Sequence, residues 1–314
     1  MLSASAARGA PRLDWRFVAK SMDRLILPMV FFYMLYLRLQ LTLGDPRVLF
    51  QDAHLYYRAT DAWVHGANPW QAHSDFGIFY AAPPPALLLN LPLLPFGEGF
   101  AACFWPIAGL AGMILAIRHF HLPWWWLAFP PFIEGILPAS PDLALLGFLV
   151  VGGGALTAVA KPYAIPAMLA ENRWRAVGLA VVLGLVTLPL LPWGTFLAEY
   201  PAISASLASQ SLYSPLPLPF EVGVAVALVL LGRRGLASAT PALWPAAQPH
   251  YGAFSLSAAA SSRLIALALA FPGPLPISVA VIALAIVEVL RPRLPRRPVV
   301  PNREEIGPLV AAGE

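Results

Sequence analysis

The sequence predicts an all-α integral membrane protein, a bundle of about eight to ten transmembrane helices of which several are broken. Two observations carry this prediction. Of the 314 residues, 59% are hydrophobic and only 11% are charged, whereas soluble domains have about 25% charged residues. Apolar, charge-poor stretches also recur from Leu25 to Val287 instead of forming one anchor. The chain therefore lacks the charged side chains that a water-facing surface requires.

Charge and cysteine content exclude other classes. The net charge is +4, but the arginines cluster at the ends of apolar segments rather than along one face with interleaved aromatics. These arginines indicate which ends of the spans face the cytoplasm, and we expect no nucleic-acid partner. The single cysteine, Cys103, lies in an apolar run, which excludes a disulfide framework and a cysteine metal site.

The predicted organisation is a membrane domain between two basic segments. Residues 1–24 and 291–314 are rich in arginine, so the positive-inside rule places both in the cytoplasm and requires an even number of spans. Arg118 and Arg263 fall in short outer loops, against this rule. The two shortest spans could instead be half-helices, which would leave eight. The ten predicted spans are 25–44, 82–96, 100–117, 122–139, 142–160, 162–171, 176–193, 216–232, 236–259 and 264–289, and together they occupy a polytopic domain over 25–290.

Proline occurs 34 times, often within the apolar stretches. Broken helices at membrane depth usually line a cavity, because the freed backbone groups need polar partners. A kinked but inert bundle is the alternative. Arg38, within the first span, is expected to extend toward the interface.

The outer loop, residues 45–80, concentrates acids, histidines and aromatics. Apolar residues at three-to-four spacing between Asp52 and Val64 predict an amphipathic helix on the membrane surface, which would hold Asp52 at the water boundary. A simple N-cap role for Asp52 is the alternative. The loop histidines lack the i, i+4 spacing of a zinc motif, so no metal site is predicted.

Two further polar insertions interrupt apolar segments. Lys161, one of two lysines in the chain, precedes Pro162 at a depth where a cation normally faces a cavity or a partner. His250 and Tyr251 follow Pro249 in a similar break. The alternatives are that Lys161 extends its ammonium group to the membrane interface and that His250 only forms hydrogen bonds with neighbouring helices. Together with Asp52, these residues suggest base-assisted chemistry on a lipid-borne substrate, with a departing phosphate stabilised by Lys161 and His250.

Four motifs resemble the multi-spanning GT-C class of glycosyltransferases, and especially the bacterial mannosyltransferase family that uses polyprenyl-phosphate-linked mannose. The run QDAHLYYRATDAWVHGANPW, followed by FYAAPPPALLLNLPLLPFG, is similar to that family's acid, Tyr-Tyr pair, Gly-x-Asn-Pro-aromatic and proline-rich entry to the second span. AVAKPYAIPAMLAENRW, SQSLYSPL and PAAQPHY resemble later elements in the same order. The chain departs from the family at residues 138–142, where PASPD replaces the usual Gly-Gln-x-Asn.

The resemblance implies a hexosyltransferase of the bacterial cytoplasmic membrane. It would transfer a hexose, by analogy mannose, from a polyprenyl-phosphate donor to a lipid or glycan acceptor on the outer face, with inversion and without a metal or other cofactor. Asp52 would be the general base. The other implied roles are donor-phosphate binding for Lys161, His250 and Tyr251, and substrate binding for Tyr56, Tyr57, Gln210 and Ser211.

Two alternatives stay open at this point. A transporter or lipid flippase would also place polar groups on broken helices around a cavity, although the chain shows no internal repeat. A catalytically inactive relative would fit the departure at residues 138–142.

Overall fold

The computed structural model describes residues 21–210, 217–243 and 248–290; the predicted cytoplasmic segments lie almost wholly outside these ranges. The described part of the chain is all-α and contains no strand, as the sequence predicts. Its α-helices are α1 (Leu27–Gly44), α2 (Gln51–Val64), α3 (Glu98–His119), α4 (Pro130–Ile136), α5 (Asp142–Val150), α6 (Gly154–Ala160), α7 (Ile165–Ala170), α8 (Trp174–Thr187), α9 (Trp193–Gln210), α10 (Leu218–Leu231), α11 (Arg233–Leu243), α12 (Leu256–Ser261), α13 (Arg263–Leu269) and α14 (Pro274–Leu290).

Two helical segments of the described residues are long and apolar enough to cross a membrane by length and composition. They are Arg24–Gly44, which includes α1, and Glu98–His119, which is α3. The other helices are shorter, and 3-10 turns that begin with proline separate several of them, including Pro162–Ala164 and Pro249–Ser255. A proline cannot donate the backbone hydrogen bond that a helix interior requires, so these breaks follow from the sequence.

The predicted span at residues 82–96 is two short 3-10 helices, Pro84–Leu89 and Leu91–Phe96. Both 3-10 helices of this segment lie beside α2, since Thr60 of α2 donates a hydrogen bond from its hydroxyl to the carbonyl of Leu87 at 3.1 Å. Tyr57 of α2 donates a hydrogen bond from its hydroxyl to the carbonyl of Leu94 at 3.2 Å, and Glu98 accepts one from Arg58 at 2.7 Å. The prediction that this segment crosses the bundle is therefore wrong. As a result, α3 runs away from the outer loop, and Arg118 lies at the opposite end of the bundle.

The predicted span at residues 142–160 is a hairpin of two short helices. α5 ends at Val150, and the chain reverses through Gly152, whose φ is +107°, before α6 returns to Lys161. Glycine adopts this left-handed conformation without steric cost. The prediction of one continuous helix is wrong here, and the reversal places Asp142 beside Lys161, 19 positions later in the chain.

Close contact between α3 and α5 fixes the position of this hairpin. A Cβ added at Gly112 would stand 1.9 Å from the backbone oxygen of Leu143, and one at Gly147 would stand 2.6 Å from the Cα of Gly112. Small residues let helix backbones approach in this way. The N-terminus of α5, with Asp142, is thereby held at a defined depth in the bundle.

The hairpin distinguishes two ends of the bundle. We call the end that holds the outer loop the loop end, and the other the arginine end. At the arginine end, Arg173 donates from its guanidinium to the carbonyl of Leu149, and Arg233 and Arg234 share a pocket with Ser261. Arg263 lies two residues after Ser261. Arg118 and Arg263, which the predicted spans put on the side of the outer loop, therefore lie at the same end as Arg173, Arg233 and Arg234.

Large apolar side chains cover much of the outside of the bundle. Val229 of α10 is 80% exposed and Met29 of α1 is 70% exposed. α8, α10 and α14 each expose several leucines or valines. Soluble monomers rarely expose contiguous apolar patches of more than a few hundred Å², so this surface differs from that of an ordinary soluble monomer.

Candidate functional site

The centre of the candidate site is a buried ion pair between Asp142 and Lys161. Lys161 Nζ lies 2.8 Å from Asp142 Oδ1, with side-chain exposures of 5% and 0%. Asp142 is the first residue of α5, and Lys161 follows the last residue of α6. The two charges therefore meet at the open end of the hairpin.

Three more side chains complete the polar surroundings of Asp142. The hydroxyl of Tyr163, from the 3-10 turn after Lys161, donates to Asp142 Oδ2. His250 Nε2 lies 3.3 Å from the same oxygen. Tyr251 stacks on Tyr163, with ring centroids 3.9 Å apart and an interplanar angle of 18°. Asp142 thus joins the hairpin to the Pro249–Ser255 turn.

Asp52 lies at the edge of this cluster. Its backbone N–H donates to the carbonyl of Pro138 at 2.9 Å, and that of Phe50 donates to Leu137 at 3.0 Å. Phe50, with a φ of +63°, turns the chain into α2 so that Asp52 starts the helix facing inward. Burial raises the pKa of the Asp52 carboxyl group, while the nearby charges of His250 and Lys161 oppose the rise.

Two more side chains border Asp52 and the ion pair. Ser140 lies beside the Asp52 carboxyl group, and Asp142 is close enough to raise the pKa of Asp52. Tyr56, one turn along α2 from Asp52, accepts a hydrogen bond from Lys161 Nζ on its hydroxyl. Lys161 therefore pairs directly with Asp142, and Asp52 lies within electrostatic range of that pair.

Behind Tyr56, Tyr80 packs edge to face with it, at a centroid distance of 5.1 Å. Tyr80 is fully buried, and its hydroxyl has no hydrogen-bond partner among the described residues. A buried hydroxyl usually has a partner, so this one is available to a water or a ligand.

The structure brings together Asp52, Tyr56, Lys161, His250 and Tyr251, five of the residues singled out by sequence. The sixth, Tyr57, lies apart, because consecutive residues of a helix do not share a face; its hydroxyl binds Leu94 instead. Ser211 lies outside the described residues, as does the side chain of Gln210.

Sequence reasoning missed Asp142, Tyr163, Ser140 and Tyr80. A signal for Asp142 was present: an acid begins an apolar run that ends in a lysine, and three consecutive glycines, Gly152 to Gly154, occur between them. Glycines in the middle of an apolar run permit the chain to reverse, and a reversal there would bring the acid and the lysine together.

A mostly apolar cavity of about 200 Å³ lies next to the cluster. α1, α4 and the segment after α13 line it, and Pro249 connects its wall to His250. Arg38 pairs with Glu134 at 3.0 Å in this wall, so Arg38 has an acidic partner that the sequence analysis did not assign. Glu134 is near enough to His250 for an electrostatic interaction.

The chemistry available to the cluster is that of a base and two cationic or donor groups. Within the described ranges, no three His, Cys, Asp or Glu residues gather as metal ligands. Asp52 could accept a proton, and Lys161 and His250 could donate to an anion.

Comparisons with known proteins add no relative. No protein-family model matches the chain, and neither does any curated protein or solved structure.

Proposed function

We propose that this protein is a membrane glycosyltransferase that transfers a hexose from a polyprenyl-phosphate donor to a lipid or glycan acceptor on the outer face of the membrane. The observation that carries the proposal is the position of Asp52, a carboxylate with a raised pKa, within electrostatic range of Lys161 and His250. A base and a phosphate-binding pair in one buried cluster are what such a transfer requires.

A multi-spanning membrane placement is supported by three features. The exposed surface is apolar, two helical segments have the length and composition of spans, and the turns that contain Arg118, Arg173 and Arg233 lie at the end opposite the outer loop. Basic residues accumulate on the cytoplasmic side of membrane proteins. The cluster would then open toward the outer face.

The transfer itself is a single displacement with inversion. Asp52 takes the proton of an acceptor hydroxyl while that oxygen forms a bond to the anomeric carbon of the donor. The bond from the anomeric carbon to the phosphate oxygen breaks, and the lipid phosphate leaves with the electron pair. Lys161 and His250 donate to its developing negative charge.

Asp142 gives this site a property that the family resemblance does not imply. A donor phosphate competes with Asp142 for Lys161, because both are anions and the lysine is already paired. Tyr163 and His250 also contact Asp142, so they can hold the carboxylate when the lysine turns to the phosphate.

The apolar cavity beside His250 fits the lipid part of the donor. Its lining is predominantly hydrocarbon, and it reaches the cluster at Pro249, next to the proposed phosphate contacts. An isoprenoid chain would bury apolar surface there, with a favourable free energy of about 25 cal/mol per Å².

The decisive experiment measures hexose transfer in membranes supplied with polyprenyl-phosphate mannose. We expect Asp52→Asn to lower the rate by a factor of about 10² to 10⁴, the usual contribution of a general base. Asp61→Asn is the matched control, because Asp61 is on the same helix with a side chain 48% exposed; it should retain the wild-type rate. Undiminished transfer in Asp52→Asn would show that Asp52 is not the general base. Absence of transfer in the wild type would favour a catalytically inactive relative.

A second candidate, a transporter or lipid flippase, is favoured by the α5–α6 hairpin. Two short helices that meet at a charged pair inside a bundle are typical of transporter binding sites. The same membranes distinguish the two functions: movement of a solute or lipid without a change in its covalent structure would support the transporter.

A further inference from the structure

The arginine end contains a second pocket, bordered by charged residues, that the proposed transfer does not use. It has a volume of about 150 Å³ and lies between α7, α11 and α12. Arg233 and Arg234 line it, together with Glu171, Ser257 and Ser261.

The charge of this pocket is positive. Glu171 is already paired with Arg173 at 2.8 Å, which neutralises the one carboxylate in the lining. Arg233 and Arg234 are exposed, and within the described ranges neither has a carboxylate partner. Two guanidinium groups therefore remain for a ligand, and guanidinium matches the geometry of a phosphate.

Two further groups in the pocket suit an anion. The Ser257 hydroxyl oxygen is buried and has no hydrogen-bond partner among the described residues. α11 begins at Arg233, so its first backbone N–H groups and the positive end of the helix dipole are at the same place.

The turn that presents the arginines is tightly constrained. Gly232 has a φ of +57°, and a Cβ at Gly235 would lie 1.9 Å from the backbone oxygen of Leu228. The arginines are thus held on a defined turn, which lowers the entropy lost when they bind a ligand.

We infer that this pocket binds the phosphate of an anionic phospholipid headgroup. Phosphate chemistry alone would also fit a soluble phosphate, but the surroundings favour a lipid. Val229 and Leu230, just before the arginines, are 80% and 55% exposed and offer an apolar surface for the acyl chains. Basic pockets between helices on the cytoplasmic side commonly bind such headgroups.

The test uses the full chain purified in a neutral detergent and incubated with dioleoyl phosphatidylglycerol or dioleoyl phosphatidylcholine. Native mass spectrometry then gives the fraction of protein that retains lipid. The wild type should retain phosphatidylglycerol in preference to phosphatidylcholine, and Arg233→Gln/Arg234→Gln should weaken that binding by a factor of about 25, roughly fivefold for each arginine near the membrane surface.

Matched variants separate binding from folding. Arg118→Gln removes a cation from the same end but outside the pocket, and it should bind like the wild type. Ser257→Ala keeps both arginines and removes the unpaired hydroxyl; it should weaken binding by a smaller factor and serves if the double variant fails to fold. Asp52→Asn should bind normally, so failure of the proposed transfer leaves this result unaffected.

Equal retention of phosphatidylglycerol by the wild type and both pocket variants would overturn the inference. So would displacement of the lipid by inorganic phosphate at an equal concentration, because a soluble anion would then be the preferred occupant. Loss of lipid from the pocket variants alone supports it.

Discussion

The outer loop and the buried cluster both pair cations with carboxylates, but they do so in different surroundings. Arg58 of the loop end binds Asp75 at 2.8 Å and Glu98 at 2.7 Å, with its side chain 37% exposed. Lys161 binds Asp142 at the same distance with almost no exposure. Exposed pairs contribute little to stability, whereas buried charges cost several kcal/mol to desolvate.

This difference in exposure assigns two different roles. The Arg58 pairs hold segments of the chain together, which we call a fastening role, whereas the Asp142–Lys161 pair takes part in chemistry at the site. Arg58 fixes residues 69–80 to α2 and α3 at low cost, and water would solvate its charge if the pair opened. Asp142 and Lys161 have no such solvent, so the desolvation cost of burying them is offset only by their mutual attraction and their other hydrogen bonds. Strongly perturbed, buried charges cluster at functional sites.

The largest expected effect is the removal of one buried partner. Lys161→Met leaves Asp142 buried without its lysine, and we expect a loss of about 3 to 5 kcal/mol in the free energy of unfolding. Unfolding in detergent micelles measures it. Lys161→Met/Asp142→Asn should recover most of the loss, because the uncompensated charge is gone; a double variant no more stable than Lys161→Met would mean that the pair does not control stability.

A second test concerns the pH dependence of transfer. The base must be ionised, so the rate falls as pH decreases through the pKa of Asp52, which burial raises. Asp142 contributes to that rise through its negative charge. Asp142→Asn should therefore shift the acidic limb of the rate profile to lower pH, and profiles normalised to their maxima allow for any loss of folded protein.

The control for this shift comes from the exposed region. Asp75 does not contribute to the pKa of Asp52, so Asp75→Asn should leave the acidic limb in place. A limb that moves equally in both variants would show that the overall charge of the protein, rather than the buried neighbour, sets the pKa of Asp52.

Much of the site could be predicted from the sequence because polar residues are rare in apolar stretches. Lys161 and His250 are conspicuous there, and Asp52 begins an amphipathic pattern. α1 and α3 could likewise be predicted, since each is a long apolar run.

The composition of the apolar stretches did not identify Asp142 as a site residue, because its pairing with Lys161 depends on a reversal of the chain at Gly152. Hydropathy measures the length of an apolar stretch and not its direction, so residues 142–160 read as one span. The same limit applies to residues 82–96, where closely spaced prolines make two short turns of a segment that has the composition of a helix.

The smallest expected effect on the free energy of unfolding is the loss of the exposed ion pairs of Arg58. Arg58→Gln removes the contacts with Glu98 and Asp75, and solvent screening should limit the loss in unfolding free energy to about 1 kcal/mol or less. Arg47→Gln is the control, since among the described residues Arg47 contacts loop side chains, pairing with Asp45 two residues away and lying over Phe76, and is 63% exposed; it should cause a smaller loss than Arg58→Gln.

Salt and acid should both reduce the effect of Arg58→Gln. Salt at about 1 M shortens the screening length to roughly 3 Å. Arg58 lowers the pKa of Asp75, so the contribution of this pair is present above the ordinary aspartate pKa and is lost as pH falls through the lowered value. A loss in Arg58→Gln as large as in Lys161→Met, and insensitive to salt, would mean that water does not solvate the outer loop. The distinction between a fastening pair and a chemical pair would then fail, and Arg58 would have to be considered part of the site.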